Sequence, residues 1–299
     1  MPTRYFNTLE VKDGTLYKSS ADNPTKIEHE YEWMKEISSI DNLKKYVPDN
    51  VSFKDGVLSM KYYEEGDLGK KLLKKTSKKE MRSAIDRRLD VFLDFKHTDV
   101  DTSVKCEGFY SKRLSNRLTD NPFYKKFNYY LINGKVFDDV QMPLVFDKCK
   151  ELNLSEDVGL MHGDLFFSNV LLDNDEFKLI DPRGSFDEEF SLYGDRRYDL
   201  AKLRHSISGG YDCIINDKYS LSHKNNIVDY KIHFGYDVND ATDYFDNRVR
   251  CLGYNVSDIK FIEGLLFLTM IPLHKESIEH QLLFYVTAIE KLSVLYDYR

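Results

Sequence analysis

The sequence is poor in the features that mark several protein classes. Its 299 residues contain four cysteines, Cys106, Cys149, Cys213 and Cys251, with no C-x-x-C pair and no histidine at ligand spacing. Free thiols in a reducing, cytoplasmic compartment are therefore expected. There is no surplus of positive charge: 43 Lys and Arg stand against 50 Asp and Glu, a net charge of −7, which argues against a nucleic-acid partner. The most apolar stretch, Phe261 to Leu273, carries Glu263 and Pro272 and is shorter than the roughly 20 residues a membrane-spanning helix needs. The first residues, MPTRYFNTLEVKDG, have no apolar core behind Arg4, so a signal peptide is not expected either. No internal repeat or low-complexity tract is present. The P-loop pattern G-x-x-x-x-G-K-[ST] does not occur, which excludes P-loop nucleotide chemistry.

What is present is enough apolar material for a sizeable core: 41% hydrophobic residues, including 21 Tyr and 19 Phe. Residues 1 to 62 read as short strands around one helix. FNTLEV and TLYKSS flank Asp13-Gly14, and VSF and VLSMKYY flank Asp55-Gly56; each Asp-Gly predicts a hairpin turn, because glycine adopts positive φ without steric cost. Between the hairpins, Ile27, Tyr31, Met34 and Ile37 have the spacing of one helical face. After Tyr63 the pattern changes. Glu64 to Asp67 is a polar connector, and Lys70 to Lys79 is a basic run of the kind that forms a solvated helix connection. Ser77-Lys78-Lys79-Glu80 is a capping-box signature ahead of a helix burying Met81, Ile85, Leu89, Phe92 and Phe95. Further helices are predicted over 141–152, 197–207, 240–251, 258–270 and 275–296. The fold class predicted is α+β, with a small β-rich part over 1–62, a hinge near Lys61 to Gly66, and a mostly helical part over 63–299.

One segment carries recognisable chemistry, Met161 to Asp181. Two apolar runs, 170–172 and 177–180, surround the polar Asp173-Asn174-Asp175-Glu176, which is a hairpin pattern. With a three-residue tip at 174–176, Val170 would face Ile180 and Asn169 would face Asp181. Their Cβ atoms would then be about 4.5–5.5 Å apart. An amide oxygen and a carboxylate meeting there form a partial site for a hard cation such as Mg²⁺, which completes its shell with water and substrate phosphates. Asp164, on the loop leading into the hairpin, could accept a proton from an attacking hydroxyl. Phosphoryl transfer needs those two functions side by side.

His162-Gly163-Asp164, followed by Asn169 and Asp181, resembles the catalytic loop and metal-binding Asp of the aminoglycoside phosphotransferase and choline kinase family, the small-molecule branch of the protein-kinase-like fold. The resemblance covers about residues 4 to 205. It implies a two-lobed kinase-like fold in which Lys18 contacts the nucleotide phosphates, Glu30 on the following helix is its ion-pair partner, and Gly14, Tyr62 and Tyr63 line the nucleotide site. Asp164 would be the catalytic base, Asn169 and Asp181 the metal ligands, and His162 and Asp199 structural supports of the loop. Arg183 is a candidate contact for phosphate or acceptor. The implied co-substrate is ATP or GTP with Mg²⁺, and the implied partners are the nucleotide and a small-molecule hydroxyl acceptor, without nucleic acid or membrane.

Departures from the kinase pattern narrow the expectation. Gly163, not Arg, precedes Asp164, and Asp181 is followed by Pro182-Arg183-Gly184 in place of Phe-Gly, which disfavours a protein substrate. No glycine-rich loop precedes Lys18; the turn at Asp13-Gly14 is the sole candidate for a phosphate cover. Asp181-Pro182-Arg183-Gly184, Tyr198 to Ser206 and Met270 to His274 are similar to a subgroup of phosphotransferases found with bacterial surface-polysaccharide enzymes, which implies a sugar-like acceptor. Two other readings stay open at this point, a nucleotide-binding pseudoenzyme and a protein kinase.

Simpler readings stand beside several of these residues. Lys18 alone would pass for a surface lysine on an amphipathic strand, and Glu28 and Glu32 neighbour Glu30. Arg183 could be a solvent-facing turn residue. Asp187-Glu188-Glu189 reads as a solvated loop, or as a lure for a cationic acceptor. His205, His274 and His280 fall on helical patterns at no ligand spacing, so ordinary core or surface positions are expected for them.

Overall fold

The computed structural model describes residues 7–96, 108–118, 121–154, 157–174, 176–186 and 189–295. Cys106 and the acidic pair at 187–188 lie outside them. The other three cysteines are free, Cys149 and Cys213 buried and Cys251 exposed. Among the described residues, no helix is long and apolar enough to cross a membrane. A small β-rich N-terminal region precedes a mainly helical C-terminal region.

The chain divides into two compact units. The first comprises Met1–Lys71, Arg87–Lys105 and Val158–Asp199. Its main sheet holds β1 (Thr8–Lys12), β2 (Thr15–Ser19), β3 (Ser52–Lys54) and β4 (Val57–Lys61), all antiparallel in the order β1-β2-β4-β3. Both Asp-Gly turns form as predicted: Asp13 and Gly14 have φ of 50° and 72°, and Asp55 and Gly56 of 52° and 78°. Left-handed backbone at both turn positions matches the twist of the flanking strands.

Helix α1 (Pro24–Ser38) lies between the two hairpins. Asn23 caps it by accepting from the Lys26 N–H at 3.1 Å, and Pro24 occupies the first turn, where no backbone donor is needed. Its buried face is Ile27, Glu30, Trp33, Met34 and Ile37. Tyr31, predicted on that face, is instead half-buried and stacks on Phe53 at 5.4 Å.

The hairpin of the chemical segment is present, with strands Val170–Asp173 and Glu176–Leu179, but its register differs from the sequence expectation. Val170 pairs with Leu179 and Asp173 with Glu176, so the tip has two residues, not three. Asn174 takes φ of 54°, the left-handed conformation that two-residue tips require and asparagine tolerates. Asn169 therefore faces Ile180, whose N–H donates to the Asn169 carbonyl at 3.0 Å, and Asp181 falls one residue beyond. The connector after β4 runs along this hairpin: Leu172 N–H donates to Gly66 O at 3.0 Å, and Lys61 pairs with Asp173 at 3.1 Å.

The second unit comprises Leu72–Asp86, Cys106–Asp157 and Leu200–Arg299. Its core is the pair of helices Val256–Met270 and Ile278–Leu292, buried nearly all round. The capping box is made as expected at the start of helix Lys78–Lys96: Ser77 N–H donates to Glu80 Oε2 at 2.8 Å, and Glu80 N–H to Ser77 Oγ at 3.3 Å. Helices Met142–Leu154, Arg197–Ile207 and Val238–Cys251 agree with the predicted ranges to within two residues. A four-stranded sheet was not anticipated. It is built from Tyr129–Ile132, Lys135–Asp138, Tyr219–Lys224 and Ile227–Ile232, and one of its pairings, Ile227 with Leu131, is parallel and joins distant parts of the chain.

Candidate active site

The site is assembled within the first unit. Lys18 sits near the end of β2 with its side chain buried. Its ammonium donates to Glu30 Oε2 at 2.6 Å and forms a second ion pair with the carboxylate of Asp181. Burial by itself would lower the pKa of this lysine. The opposite charges of Asp181 and Glu30 outweigh that effect and hold it above the usual lysine range, so the side chain is cationic at neutral pH. Glu30 is fully buried on α1, and Lys26, one turn earlier, lies 3.6 Å from its other oxygen. Glu28 and Glu32 have no part in this pairing; Glu32 pairs with Lys35 at 3.0 Å.

Asp181 follows the last strand of the hairpin and has φ of 55°. The left-handed turn is a strained position for aspartate, tolerated better by it and by asparagine than by other residues. Asn169 ends a single 3-10 turn, Phe167–Asn169. Its amide NH₂ donates to the Asp164 carbonyl at 2.9 Å and to Asp164 Oδ2 at 3.3 Å. That leaves the amide oxygen as the atom Asn169 can offer a cation. Asn169 and Asp181 could thus offer one amide oxygen and one carboxylate, and Asp164 a second carboxylate; hard cations such as Mg²⁺ take oxygen donors of this kind.

The loop carrying Asp164 is held from three sides. Asp199, buried in the first turn of helix Arg197–Ile207, accepts from the backbone N–H groups of His162 and Gly163, both at 2.8 Å. Trp33 on α1 donates its indole N–H to Met161 O at 3.0 Å and sets its ring edge-on to His162, with centroids 5.3 Å apart. The His162 carbonyl accepts from Arg183 N–H at 2.8 Å, and its Nδ1 accepts from Asp164 N–H at 3.3 Å. Complete burial pushes the His162 pKa down to about 4, against the opposing pull of Asp164 and Asp181, so the ring is neutral and can accept that bond.

Two glycines are required by close approach. Gly163 has φ of 77°, and a Cβ there would lie 2.5 Å from the Cβ of Arg183. Gly184 has φ of 59°, and a Cβ there would lie 2.4 Å from the His29 carbonyl oxygen on α1. The Asp-Pro-Arg-Gly sequence thus returns the chain from Asp181 past the loop carrying Asp164 and onto α1. Arg183 places its guanidinium over the Tyr198 ring, 5.1 Å from the centroid.

The remaining candidates have different surroundings. Gly14 O accepts from Tyr62 N–H at 2.8 Å, and no atom lies within 4 Å of where a Gly14 Cβ would be, so the turn is open. Tyr63 is buried, and its hydroxyl accepts from Asp49 N–H at 2.8 Å. A cavity of about 520 Å³ lies against the outer hairpin strand, lined by Lys45, Tyr46, Arg87, Asp94 and Phe177; no candidate catalytic residue lines it.

Residues 111–219 match the phosphotransferase enzyme family. That range contains the loop, the hairpin and Asp199. Its fold is shared with solved kinases: a choline kinase from Streptococcus pneumoniae, with a TM-score of 0.54, 13% identity, and coverage of 96% of this chain and 89% of that one. An aminoglycoside-3'-phosphotransferase of type VIII has a TM-score of 0.51 and 13% identity, with coverage of 88% of this chain and 93% of that one. The chain resembles the aminoglycoside phosphotransferase and choline kinase family in site segment and in fold. No curated protein matches it by sequence.

Sequence reasoning passed over Trp33 and the close approach of Gly184. Trp33 is the only tryptophan in the chain and lies one turn after Glu30, which is the signal that could have marked it. Nothing local marked the contact of Gly184 with His29.

Proposed function

We propose that this protein is a small-molecule kinase that transfers the γ-phosphoryl group of ATP or GTP to a hydroxyl of a sugar or an amino alcohol. The observation that carries the reading is a pair of side-chain groups flanking the Asn169–Ile180 backbone contact. Lys18 is bound to both Glu30 and Asp181, while Asn169 holds Asp164 by its amide. Asn169 O accepts from the N–H of Ile180, next to Asp181, which supports a reading in which cation, metal ligands and base share the open end of the hairpin.

In this reading Asp164 accepts the proton of the acceptor hydroxyl, oriented by the Asn169 amide. Lys18, kept protonated by Glu30, neutralises the α- and β-phosphates. Asn169 Oδ1 and the Asp181 carboxylate would hold Mg²⁺, which when bound supplies charge compensation on the phosphates. His162, Trp33 and Asp199 keep the loop backbone in place and carry no proton in the reaction. Gly14, Tyr62 and Tyr63 remain the proposed nucleotide contacts through their backbone and the turn, since the Tyr63 hydroxyl is engaged with Asp49.

Release of ADP or GDP is the readout, screened over hexoses, heptoses, amino sugars, choline and aminoglycosides; the last two enter because the kinases sharing the fold carry those names. Asp164→Ala should abolish turnover and leave nucleotide binding in place. Turnover that survives this substitution removes Asp164 from the mechanism. Nucleotide binding with no Mg²⁺-dependent turnover in the wild type would make the chain a binding protein and not an enzyme.

A further inference from the structure

Helix Val256–Met270 ends in a 3-10 turn, Ile271–Leu273, and the next long helix starts at Ile278. The connection carries His274 and Glu276, and the first turn of the following helix carries His280. The sequence spacing of these three residues has no ligand signature. The fold nonetheless brings them together, with both histidines at buried positions. One ring nitrogen of each histidine and one carboxylate oxygen of Glu276 lie within 4.8 Å of one another. His274 Nδ1 is 2.8 Å from Glu276 Oε1. Both imidazoles are buried, while Glu276 is exposed.

The histidines are oriented from their far sides. His280 Nε2 lies 2.8 Å from Asp217 Oδ1, which places the ring proton on that nitrogen. Its other nitrogen, Nδ1, is buried and has no hydrogen-bond partner. A buried lone pair without a donor is costly unless something occupies it. His274 meets the Tyr211 hydroxyl through Nε2 at 3.4 Å. A histidine held by a carboxylate on one nitrogen, with the other left open, is the arrangement that fixes ring orientation and raises basicity around bound metals. Ser277 adds rigidity: its hydroxyl caps the helix by accepting from His280 N–H at 3.2 Å.

We propose that His274, Glu276 and His280 form a binding site for one divalent transition-metal ion of the zinc type, with Asp217 positioning His280 and a water completing the shell. Two imidazoles and one carboxylate suit zinc, whereas Mg²⁺ and Ca²⁺ take oxygen donors. Metal–ligand lengths of about 2.0–2.2 Å put tetrahedral donor atoms roughly 3.3 Å apart. Small side-chain rotations close the present spacing, and the exposed Glu276 is the group free to make them. The ion would clamp the turn between the two central helices of the second unit. The proposal stands on this donor set and is independent of the phosphotransfer reading.

The test uses the full-length chain without an affinity tag, stripped of metal with a chelator and dialysed. Zn²⁺ is titrated against a fluorescent chelator, Co²⁺ is followed by its visible absorption, and melting temperature is recorded with and without Zn²⁺. One Zn²⁺ per chain, tetrahedral Co²⁺ bands and a raised melting temperature are expected. Glu276→Gln and His280→Gln should each weaken binding at least tenfold. Asp217→Asn should weaken it by about 10–100-fold, the usual effect of removing such a supporting carboxylate. Glu276 is exposed, so its variant keeps the test open should His280→Gln fail to fold. Asp181→Asn should bind zinc like the wild type, which separates this site from the catalytic carboxylates. Absence of stoichiometric zinc, equal affinity in wild type and Glu276→Gln, or loss of the bound zinc in Asp181→Asn would each overturn the proposal.

Discussion

Asp199 holds Gly163 by accepting its backbone N–H at 2.8 Å with one carboxylate oxygen, while the other oxygen accepts from His162 N–H at the same distance. Two consecutive backbone donors are thus satisfied by one buried side chain, immediately before Asp164. Asp199→Asn replaces one acceptor with a donor and sets it against an N–H. Hydrogen bonds to charged groups contribute about 1.5–3 kcal/mol each, so a stability loss of that order is expected by chemical denaturation. Turnover should fall more than nucleotide affinity, because the displaced residue is the proposed base Asp164 and not Lys18.

Gly163 offers a second test of the same loop. Gly163→Ala combines positive φ with a contact 2.5 Å from the Arg183 Cβ, and a loss of roughly 1–3 kcal/mol is expected. Adding Arg183→Gly removes the clashing Cβ but not the backbone strain. The double variant should therefore be less destabilised than the sum of the two single changes, measured as a double-mutant cycle in urea.

The buried triad of Lys18, Glu30 and Asp181 makes a charge-balance prediction. Lys18→Met leaves the fully buried Glu30 without its main partner, and breaking a buried pair on one side costs about 3–5 kcal/mol. Lys18→Met combined with Glu30→Leu should recover much of that stability, since apolar replacement of a whole buried pair is often neutral. Neither variant should turn over. Activity recovering along with stability would show that Lys18 has no role beyond folding.

His162 gives a pH dependence with a definite sign. Burial lowers its folded pKa to about 4, while an unfolded histidine titrates near ~6.5. Between those values the unfolded chain takes up a proton that the folded chain does not. The contribution of His162 to stability is therefore complete above pH ~6.5 and is lost progressively as the pH falls toward about 4. His162→Gln should flatten the slope of unfolding free energy against pH in that window; an unchanged slope would show that the ring titrates alike in the folded and unfolded chain.

Much of the site was readable because its signals are local. The Asp-Gly turns and the Ser77–Glu80 capping box each depend on atoms a few residues apart, and both formed as expected. The hairpin after Asn169 was also readable, but its register was not. A two-residue and a three-residue tip both fit the polar stretch 173–176, and the choice moves Asp181 past the end of the pairing. The sheet in the second unit had a signal too, the Asn133-Gly134 turn at φ of 48° and 78°, yet its parallel pairing with Ile227 joins segments that no local pattern relates.

From its sequence alone this protein's chemical inventory was determined: two carboxylates and an amide at kinase-like spacing, a lysine on a strand, a glutamate on the next helix. Tertiary structure decided which of these meet. Lys18 and Asp181 are 163 positions apart, and nothing near either one specifies the other as its partner. The same holds for His280 and Asp217, 63 positions apart. Turn and helix signals act through neighbouring dihedrals and hydrogen bonds, whereas these pairs are chosen by packing, which buries a charge or a lone pair only where the fold supplies its complement.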